Sequence, residues 1–385
     1  MISYALQSLE VHSRFSGCQL PLLAKLIEFR YDTRRTDSRT LFRVGTDAIF
    51  DRSRIGRTIV LKVVRPFIAV LLFVLPADMN PSKFIWINGS LVPWADANVH
   101  VMSHGLHYGS SVFEGMRCYD TPGGRVIFRL DAHMRRMLDS AKIYRMPITY
   151  SLEQLCDACR EVIIKNELTS AYVRPIAFFG ASTLAVVPPP DVTADVAVGA
   201  VEWGTYLGED GLRNGIDVCV SSWHRTTSAS NPVLSKAGGH YLNSMLIGGE
   251  ALRNGYAEGV SVTAGGMISE GSAENLFLVK DGIIHTPPLS AAILGGITRD
   301  SVIHLIRDLG FELRQEVLPR DLLYLADEIF LTGTAAEVTP VRSVDKITIG
   351  SGTRGPITEA IQAAFFGLFD GNTEDKYGWL DLVDR

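Results

Sequence analysis

The chain has 385 residues, of which 46% are hydrophobic and 21% are charged, a balance typical of a globular protein with room for two sizeable cores. Its formal net charge is -5, and residues 79–385 carry 25 Lys and Arg against 35 Asp and Glu. An acidic body without a basic stripe argues against nucleic acid as a partner.

Residues 1–78 differ from the rest of the chain in composition and pattern. They carry 12 Lys and Arg against 7 Asp and Glu, show no clean periodicity, and end in an apolar run over 66–76. That run is shorter than the roughly 20 apolar residues that a membrane-spanning helix needs. We interpret residues 1–78 as an N-terminal extension that is either disordered or translated upstream of a true start at Met79. A signal peptide is the alternative interpretation.

Apolar periodicity and turn residues predict a mixture of strands and helices in the first half of the chain. In chain order these are a hairpin over 84–94 around Asn88-Gly89, a strand pair turning at 122–124, helices over 131–144 and 152–166, and strands over 172–179 and 192–202. Strands and helices do not alternate strictly, which favours the α+β class over a doubly wound sheet.

The segment 203–208 has two glycines, two aromatic residues and no periodicity, so we expect it to connect two domains. The predicted organisation is a small α+β domain over 79–202, an interdomain loop over 203–212 and a larger domain over 213–385.

The second half again mixes the two kinds of element. The predicted elements are a strand over 216–222, a helix over 241–253 that ends near Gly255, hairpins around 265–266 and 281–282, a helix that opens at 294–299 and stops at Gly310, and a strand ending in a small-residue loop within 330–342.

The cysteines and two neighbouring histidines give no sign of a metal site. The five cysteines show no pairing pattern, which suits a reducing compartment and a cytoplasmic protein. Cys156 and Cys159 are one turn apart on a predicted helix and are interpreted as packing residues. His104 and His107 lack a third ligand nearby, so no metal is expected.

Lys236 lies in a short segment, residues 234–242, with the sequence Leu-Ser-Lys-Ala-Gly-Gly-His-Tyr-Leu. Gly238 and Gly239 leave the backbone bare, which would let a large planar ligand approach closely. An amine held on a short rigid segment can be desolvated and become nucleophilic toward an aldehyde. A surface lysine beside a loop is the alternative, and for Lys-Ala-Gly-Gly taken alone it is the better one.

Two loops further along offer hydrogen-bond donors to an anion. Residues 295–298, Gly-Gly-Ile-Thr, open a predicted helix whose free N–H groups and dipole favour a phosphate, and residues 333–334 offer similar donors. Neither loop has the spacing of a nucleotide-binding motif, so the sequence predicts a site for one phosphate. A lysine able to form an imine, a monophosphate site and the carboxylate of Glu270 together indicate pyridoxal 5′-phosphate.

Four segments resemble the motifs of class IV, fold-type IV aminotransferases, and these are residues 235–241, 268–277, 294–299 and 332–337. Residues 99–104, 113–115 and 171–175 are similar more closely to bacterial branched-chain amino acid aminotransferases. The likeness runs from about Lys83 to the C-terminus. It implies a two-domain fold, with a smaller N-terminal α/β sandwich and a larger C-terminal pseudo-barrel. It also implies a ping-pong transfer of amino groups from Leu, Ile and Val to 2-oxoglutarate.

Carried over residue by residue, the resemblance implies roles around the cofactor. Lys236 would hold it covalently and shuttle a proton, Glu270 would keep its ring nitrogen protonated, and Tyr241 would hydrogen-bond its phenolic oxygen. The remaining cofactor contacts implied are Arg136, Leu294, Ile297, Thr298, Gly333 and Thr334.

The resemblance also implies a substrate pocket with an apolar, aromatic wall, which suits branched aliphatic side chains. Arg174 is the candidate cation for the side-chain carboxylate of glutamate. The full set of expected substrate contacts is Tyr108, Phe113, Tyr172, Arg174, Trp203, Tyr206, Thr334 and Ala335.

Two alternatives keep the same fold, namely a D-amino acid aminotransferase and a 4-amino-4-deoxychorismate lyase. A third is a cofactor-free Schiff-base aldolase or a non-catalytic relative. The resemblance further implies a homodimer at least, in which the loop around Ala185 reaches a neighbour's active site, and hexamers are common among bacterial relatives. No membrane partner is expected.

Overall fold

The structure is a computed structural model that describes residues 81–204 and 208–384. The predicted N-terminal extension, residues 1–78, lies outside the described residues, as do residues 205–207 of the predicted interdomain loop. The described part contains helices and two eight-stranded sheets, which confirms the α+β prediction. None of the described helices is long and apolar enough to cross a membrane.

The first sheet is antiparallel at every strand pair. Its strands are β1 (Phe84–Ile87), β2 (Ser90–Pro93), β3 (Ser111–Phe113), β4 (Met116–Thr121), β5 (Gly124–Phe128), β6 (Ala171–Phe178), β7 (Asp195–Glu202) and β16 (Leu380–Leu382). The order across the sheet is β16-β5-β4-β6-β7-β1-β2, and β3 also pairs with β6.

The second sheet is mixed, because β8 pairs in parallel with its two neighbours and β11 pairs in parallel with β12. Its strands are β8 (Ile216–Val220), β9 (Glu258–Val260), β10 (Asn275–Lys280), β11 (Ile283–Thr286), β12 (Leu313–Gln315), β13 (Glu328–Gly333), β14 (Glu337–Val344) and β15 (Ile347–Thr348). The order is β12-β11-β10-β13-β14-β8-β9, and β15 pairs with β14.

The helices of the described residues vary in length from one turn to four. They are α1 (His104–Tyr108), α2 (Leu130–Ile143), α3 (Leu152–Lys165), α4 (Gly208–Asn214), α5 (Tyr241–Arg253), α6 (Ile297–Asp308), α7 (Leu322–Leu325) and α8 (Pro356–Asp370). Short 3₁₀ turns occupy Trp94–Asp96, Gly238–His240 and Leu289–Ala291.

Helix boundaries follow local sequence signals. At the start of α3, the Ser151 side chain accepts from the Gln154 backbone and the Gln154 side chain accepts from the Ser151 backbone, which is a capping box. Pro356 begins α8, where its missing N–H costs nothing. Gly255 follows the end of α5 with φ +80°, a left-handed conformation that suits glycine, as predicted.

Three clusters of buried apolar residues hold the fold together. The first packs α2 and α3 on the first sheet through Met134, Met137 and Leu155, among others. The second packs α6 and α8 on the second sheet and also includes Phe128 of β5. The third lies mainly among residues 216–349 of the second sheet and its connections. Strands β10 and β13 are buried along nearly their whole length, since apolar clusters cover both faces of the second sheet.

Most of the predicted elements are present, and two of them differ from the prediction. The hairpin predicted around 265–266 is reduced to an isolated bridge between Val262 and Ile268. The strand predicted within 330–342 is two strands, β13 and β14, joined by a three-residue loop. Helix α8 and strand β16 have no counterpart in the predicted elements, and β16 joins the first sheet. The division into domains at 203–212 stays a prediction.

Candidate active site

Lys236 is held by backbone contacts on both sides of its segment. Its N–H donates to Oγ of Ser140 on α2 at 3.0 Å, and its carbonyl accepts from the N–H of Phe113 on β3 at 3.0 Å. Ala237 forms an isolated bridge with Val112. These contacts fix the backbone that carries the amine, which supports the prediction of a rigid segment.

The glycines near Lys236 allow close packing within the protein, and their predicted role in ligand approach stays a prediction. A Cβ on Gly238 would come within 2.3 Å of Oγ of Ser111, and a Cβ on Gly109 would come within 3.1 Å of Cα of Gly239. The space beside Gly238 is therefore filled by Ser111, whereas a Cβ on Gly239 would make only an ordinary contact, 3.5 Å from the Gly109 carbonyl oxygen.

The amine of Lys236 has a phenol as its hydrogen-bond partner. Nζ donates to Oη of Tyr241 at 2.7 Å, and it lies 5.1 Å from the centre of the Phe113 ring. The rings of Phe113 and Tyr241 meet edge to face with centres 4.7 Å apart. Because the ring faces and the hydroxyl surround one amine, the side chain of Lys236 is oriented before any ligand binds.

Glu270 places a carboxylate in the same pocket. Its side chain accepts from Nη2 of Arg225 at 2.7 Å, from Nδ2 of Asn275 at 3.0 Å and from the N–H of Leu294 at 3.0 Å. Burial raises the pKa of the Glu270 carboxyl, and the Arg225 guanidinium opposes that rise. A buried carboxylate with three such donors is well suited to hold a proton on a ring nitrogen.

Arg225 is a site residue that sequence reasoning missed. It is 8% exposed, and its backbone N–H donates to the Val262 carbonyl at 2.9 Å. Arg225 belongs to no recognisable motif and is distant from Glu270 in sequence, so no signal in the chain pointed to it.

The N-terminus of α6 supplies donors for an anion. Gly296 precedes the helix and provides no side-chain cap, so the first N–H groups, those of Ile297 and Thr298, remain available to a ligand. Both residues are buried and line the pocket. Across the pocket, Oγ1 of Thr332 is buried and makes no hydrogen bond with the described residues.

Arg136 reaches the same end of the pocket from α2. Its Nη1 donates to the Gly295 carbonyl at 2.8 Å, while Nε and Nη2 donate to the two carboxylate oxygens of Glu114 at 2.6 and 2.9 Å. Glu114 also contacts Nδ1 of His133 at 2.7 Å. Although burial acts to raise the pKa of Glu114, the charges and hydrogen bonds of Arg136 and His133 outweigh it and hold that pKa well below its usual range. Glu114 thereby fixes the direction of the guanidinium.

Two further carboxyl groups, those of Glu258 and Glu274, contact the turn that follows Glu270. Glu258 accepts from the N–H and the hydroxyl of Ser272, and Glu274 accepts from the N–H of Ala273. Burial raises the pKa of Glu274 well above its usual range, and the neighbouring Glu258 raises it further. Burial and the neighbouring carboxyl group therefore both favour the protonated form of Glu274.

The structure brings all the predicted cofactor residues together in one pocket. The lining contains Arg136, Lys236, Tyr241, Glu270, Leu294, Ile297, Thr298, Gly333 and Thr334. The lining also includes Arg225 and Glu274, which were not predicted, and the roles of individual residues stay predictions.

The predicted substrate residues divide into two groups. Phe113, Tyr172, Arg174 and Trp203 form one cluster, in which the Arg174 guanidinium lies 4.8 Å from the Phe113 ring and donates to the Tyr172 hydroxyl at 3.1 Å. The rings of Tyr172 and Trp203 are 5.0 Å apart. Phe113 joins this cluster to Lys236, so an aromatic surface carrying one cation adjoins the amine.

Three of the four other predicted substrate residues lie outside this cluster. Thr334 lines the pocket and Ala335 follows it in the loop between β13 and β14. Tyr206 lies outside the described residues. Tyr108 does not line the pocket within this chain, since its hydroxyl donates to the Leu184 carbonyl at 2.8 Å and its ring lies 4.5 Å from that of His104.

His104, His107, Cys156 and Cys159, for which the sequence predicted no metal, make packing contacts or hydrogen bonds. The two ring nitrogens of His104 contact the Ser110 hydroxyl and the Ala185 carbonyl, and His107 contacts the Val101 carbonyl. Cys156 and Cys159 are buried in the first core, and burial raises the pKa of the Cys156 thiol to about 11. These thiols are poor nucleophiles near neutral pH.

Comparison with known proteins gives a family match over the same region. Residues 111–344 match the family model described as amino-transferase class IV. The branched-chain-amino-acid aminotransferase of Salmonella typhimurium is 58% identical over 303 residues, which cover 79% of this chain and 98% of that protein.

Solved structures are similar as well. The crystal structure of the Escherichia coli branched-chain amino acid aminotransferase has a TM-score of 0.78 and 56% identity, covering 79% of this chain and 100% of that one. The crystal structure of the branched-chain amino acid aminotransferase from Thermobaculum terrenum in its PLP-form has a TM-score of 0.74 and 33% identity, covering 79% of this chain and 99% of that one. The range matched by the family model includes every residue that lines the pocket, from Arg136 to Thr334.

Proposed function

Because the chain belongs to the class IV aminotransferase family, we propose that it transfers amino groups between branched-chain L-amino acids and 2-oxoglutarate with pyridoxal 5′-phosphate as cofactor. The observation that carries the proposal is the placement of the Lys236 amine, at 2.7 Å from the Tyr241 hydroxyl, in one pocket with the buried carboxylate of Glu270. The fold is the fold-type IV architecture of that family.

The donor set of the pocket fits this cofactor. The N-terminus of α6 offers free N–H groups, and the Thr332 hydroxyl is buried without a partner among the described residues, which suits one phosphate. The carboxylate of Glu270 suits a protonated ring nitrogen, and the Lys236 amine suits an aldehyde. When bound, pyridoxal 5′-phosphate supplies an aldehyde carbon and a ring that takes up the electrons released at the substrate Cα.

Each chemical task has a residue that suits it. Nζ of Lys236 would bind the cofactor and afterwards carry the proton that leaves the substrate Cα. Oη of Tyr241 orients that nitrogen through their hydrogen bond. The Glu270 carboxylate would hold the proton of the ring nitrogen, and Arg225 opposes the rise in the pKa of Glu270 that burial causes.

The substrate class is supported by the cluster beside Lys236. Phe113, Tyr172 and Trp203 give an apolar wall for a branched side chain, and Arg174 gives a cation for the side-chain carboxylate of glutamate. A ping-pong reaction needs both in one pocket, because the amino acid and 2-oxoglutarate occupy it in turn. The branched-chain name of the similar proteins agrees with this choice over the D-amino acid and lyase alternatives.

We also propose that the protein is a cytoplasmic homo-oligomer, a dimer at least. Apolar side chains are exposed along 99–108 and 184–187, and the two segments are joined by the hydrogen bond from Tyr108 to Leu184. A contiguous apolar surface of this kind is typical of a protein–protein contact. Its exposed members are Val99, Val101, Met102, Leu106, Tyr108, Leu184, Val186 and Val187. Sedimentation of the purified chain would test the oligomer, and a monomer at micromolar concentration would overturn it.

The test of the function is an assay of the purified full chain with L-leucine, L-isoleucine, L-valine or D-alanine as donor and 2-oxoglutarate as acceptor. We expect turnover of the L-amino acids and none after Lys236→Ala, with Lys165→Ala, an exposed position, as the control. Borohydride reduction followed by peptide mapping should label Lys236. Turnover of D-alanine alone, or labelling of another lysine, would overturn the proposal.

A further inference from the structure

Glu337 has a backbone conformation that is unusual for its residue type. It follows the three-residue loop 334–336 and pairs with Gly333 across the turn, with φ +53°. The corresponding position in three-residue hairpin loops is left-handed and is normally filled by glycine. A non-glycine residue in such a conformation points to a role for its side chain where that side chain makes specific contacts.

The side chain of Glu337 is buried and charged. It is 4% exposed, its Oε1 lies 2.8 Å from Nη1 of Arg117, and the Tyr119 hydroxyl donates to it at 2.9 Å. Arg117 is itself 6% exposed, so both charges are removed from water and each depends on the other. Burial raises the pKa of the Glu337 carboxyl, and the Arg117 guanidinium opposes that rise.

Both partners of Glu337 lie on β4, a strand of the first sheet, whereas Glu337 begins β14 of the second. Arg117 also donates to the Gly204 carbonyl at 3.3 Å, at the start of the predicted interdomain loop. The Tyr119 ring stacks on Phe369 of α8 with centres 3.7 Å apart. One carboxylate therefore connects the turn after β13 to a strand and to a connector that are far away in sequence.

Residues of the pocket lie in the loop that precedes Glu337 and at the end of β13 that leads into this loop. Thr332, Gly333 and Thr334 line the same cavity as Lys236. The same end of the loop is also held by the Thr339 hydroxyl, which donates to the Ala336 carbonyl at 2.6 Å. Movement of Glu337 would displace the donors that precede it in the turn.

We propose that Glu337 is a positioning residue for transamination: through Arg117 and Tyr119 it holds the 333–336 turn where its backbone and hydroxyl groups can contact cofactor and substrate. The inference rests on the proposed function. Glu337 itself would not contact the reacting atoms. Unlike the loss of a purely structural residue, its replacement should lower activity in protein that is fully folded.

The test compares three variants with one matched control. Glu337→Gly removes the carboxylate but suits the left-handed backbone, Glu337→Gln keeps the shape and removes the charge, and Tyr119→Phe removes one hydrogen bond only. The control is Asp281→Gly, in the turn between β10 and β11, because Asp281 has φ +52° but a side chain that is 81% exposed. Steady-state kinetics with L-leucine and 2-oxoglutarate and the affinity for pyridoxal 5′-phosphate are measured at 25 °C, well below each variant's unfolding temperature.

We expect kcat/KM to fall on the order of 10- to 100-fold in both Glu337 variants, since small displacements of positioning groups have effects of that size. Tyr119→Phe should lose less, and Asp281→Gly should match the parent. Parental kcat, KM and cofactor affinity in Glu337→Gly would show Glu337 to be a turn residue only. If the parent protein itself turns over no L-leucine, the proposed function fails, and the cofactor affinities of the same variants still decide whether Glu337 positions the turn.

Discussion

Glu270 keeps its carboxylate in a buried site because three donors surround it. Arg225, Asn275 and the Leu294 backbone each contact it at 2.7 to 3.0 Å. Removing the charge while keeping the shape therefore separates the chemical contribution of the carboxylate from its packing.

Glu270→Gln should lower kcat on the order of 100-fold, because an amide cannot hold a proton on the ring nitrogen. The affinity for pyridoxal 5′-phosphate should change much less, since the phosphate donors of α6 are untouched. Steady-state kinetics and a cofactor titration measure the two effects. Equal losses in rate and affinity would contradict the assigned role.

Arg225→Met should shift the pH dependence of the same reaction. The Arg225 guanidinium lowers the pKa of Glu270, so its removal leaves burial to raise that pKa further. Glu270 must be ionised to hold the ring proton, so the acid limb of the kcat profile should move to higher pH. A profile measured from pH 5 to 9 checks the direction, and an unmoved acid limb would separate Arg225 from this role.

Glu274→Gln should alter the stability of the protein at alkaline pH. The pKa of Glu274 is raised in the fold by burial and by Glu258, so the folded state favours the protonated form. Its contribution is therefore complete below the ordinary pKa of glutamate and is lost as the pH rises through the folded-state value. Melting temperatures from pH 6 to 10 should fall less steeply for Glu274→Gln than for the parent or for Glu161→Gln, a partly exposed control.

At the scale of single residues, short sequence motifs identified the residues proposed to contact the cofactor. They did not reveal how neighbouring side chains hold those residues in place. Lys236, Tyr241 and Thr298 belong to short segments whose pattern is visible in the chain. Arg225 supports the site through its contact with Glu270, and Glu114, although it lies in the recognised segment 113–115, does so through Arg136 and His133. Their importance depends on tertiary geometry, which no local pattern contains.

Helix α6 joins its anion-binding end directly to the Glu270 network. A Cβ added to Gly296, which precedes the helix, would come within 1.9 Å of Oδ1 of Asn275. Asn275 donates both to Glu270 and to the Leu294 carbonyl, so the position of the helix start and that of the carboxylate are coupled.

Gly296→Ala should therefore weaken cofactor binding by about tenfold or more, because Asn275 must move and both of its hydrogen bonds suffer. Gly199→Ala is the matched control, since a Cβ there meets nothing within 4 Å. Spectroscopic titration with pyridoxal 5′-phosphate gives both affinities. Unchanged binding in Gly296→Ala would show that the helix start tolerates the displacement.

The elements that sequence reasoning recognised have strong local signals. Asn88 and Gly89, with φ +49° and +91°, turn the first hairpin as their residue types predict. The pairing of Glu337 with Gly333 was missed, because a glutamate gives no turn signal at a left-handed position. Strand β16 was missed because three residues are too few for periodicity to be seen.

Among the described residues, one of the three clusters of buried apolar side chains is shared by both sheets. Phe128 of the first sheet meets Phe365 and Phe369 of α8 edge to face, and α8 packs on β13 and β14 of the second sheet. The sequence predicted two separate domain cores, and periodicity could not reveal an aromatic cluster assembled from distant segments.

Phe365→Ala should destabilise the chain by about 3–5 kcal/mol, the usual effect of removing a fully buried aromatic ring. Since the cluster contacts both sheets, we expect one cooperative unfolding transition at lower denaturant rather than two separated ones. Leu382→Ala, at an exposed side chain, is the control. Two well-resolved transitions in Phe365→Ala would show that the sheets unfold independently.

The pairing of β16 with β5 also has a consequence for synthesis on the ribosome. Strand β5 ends at Phe128, yet the strand that covers its outer edge begins only at Leu380 and is translated much later. At about 5–20 residues per second, that edge waits on the order of ten seconds or more with unpaired backbone groups. During this interval the exposed edge of β5 can pair with a wrong strand, so chaperone protection should matter most then. The need for it should end once β16 has emerged and paired with β5.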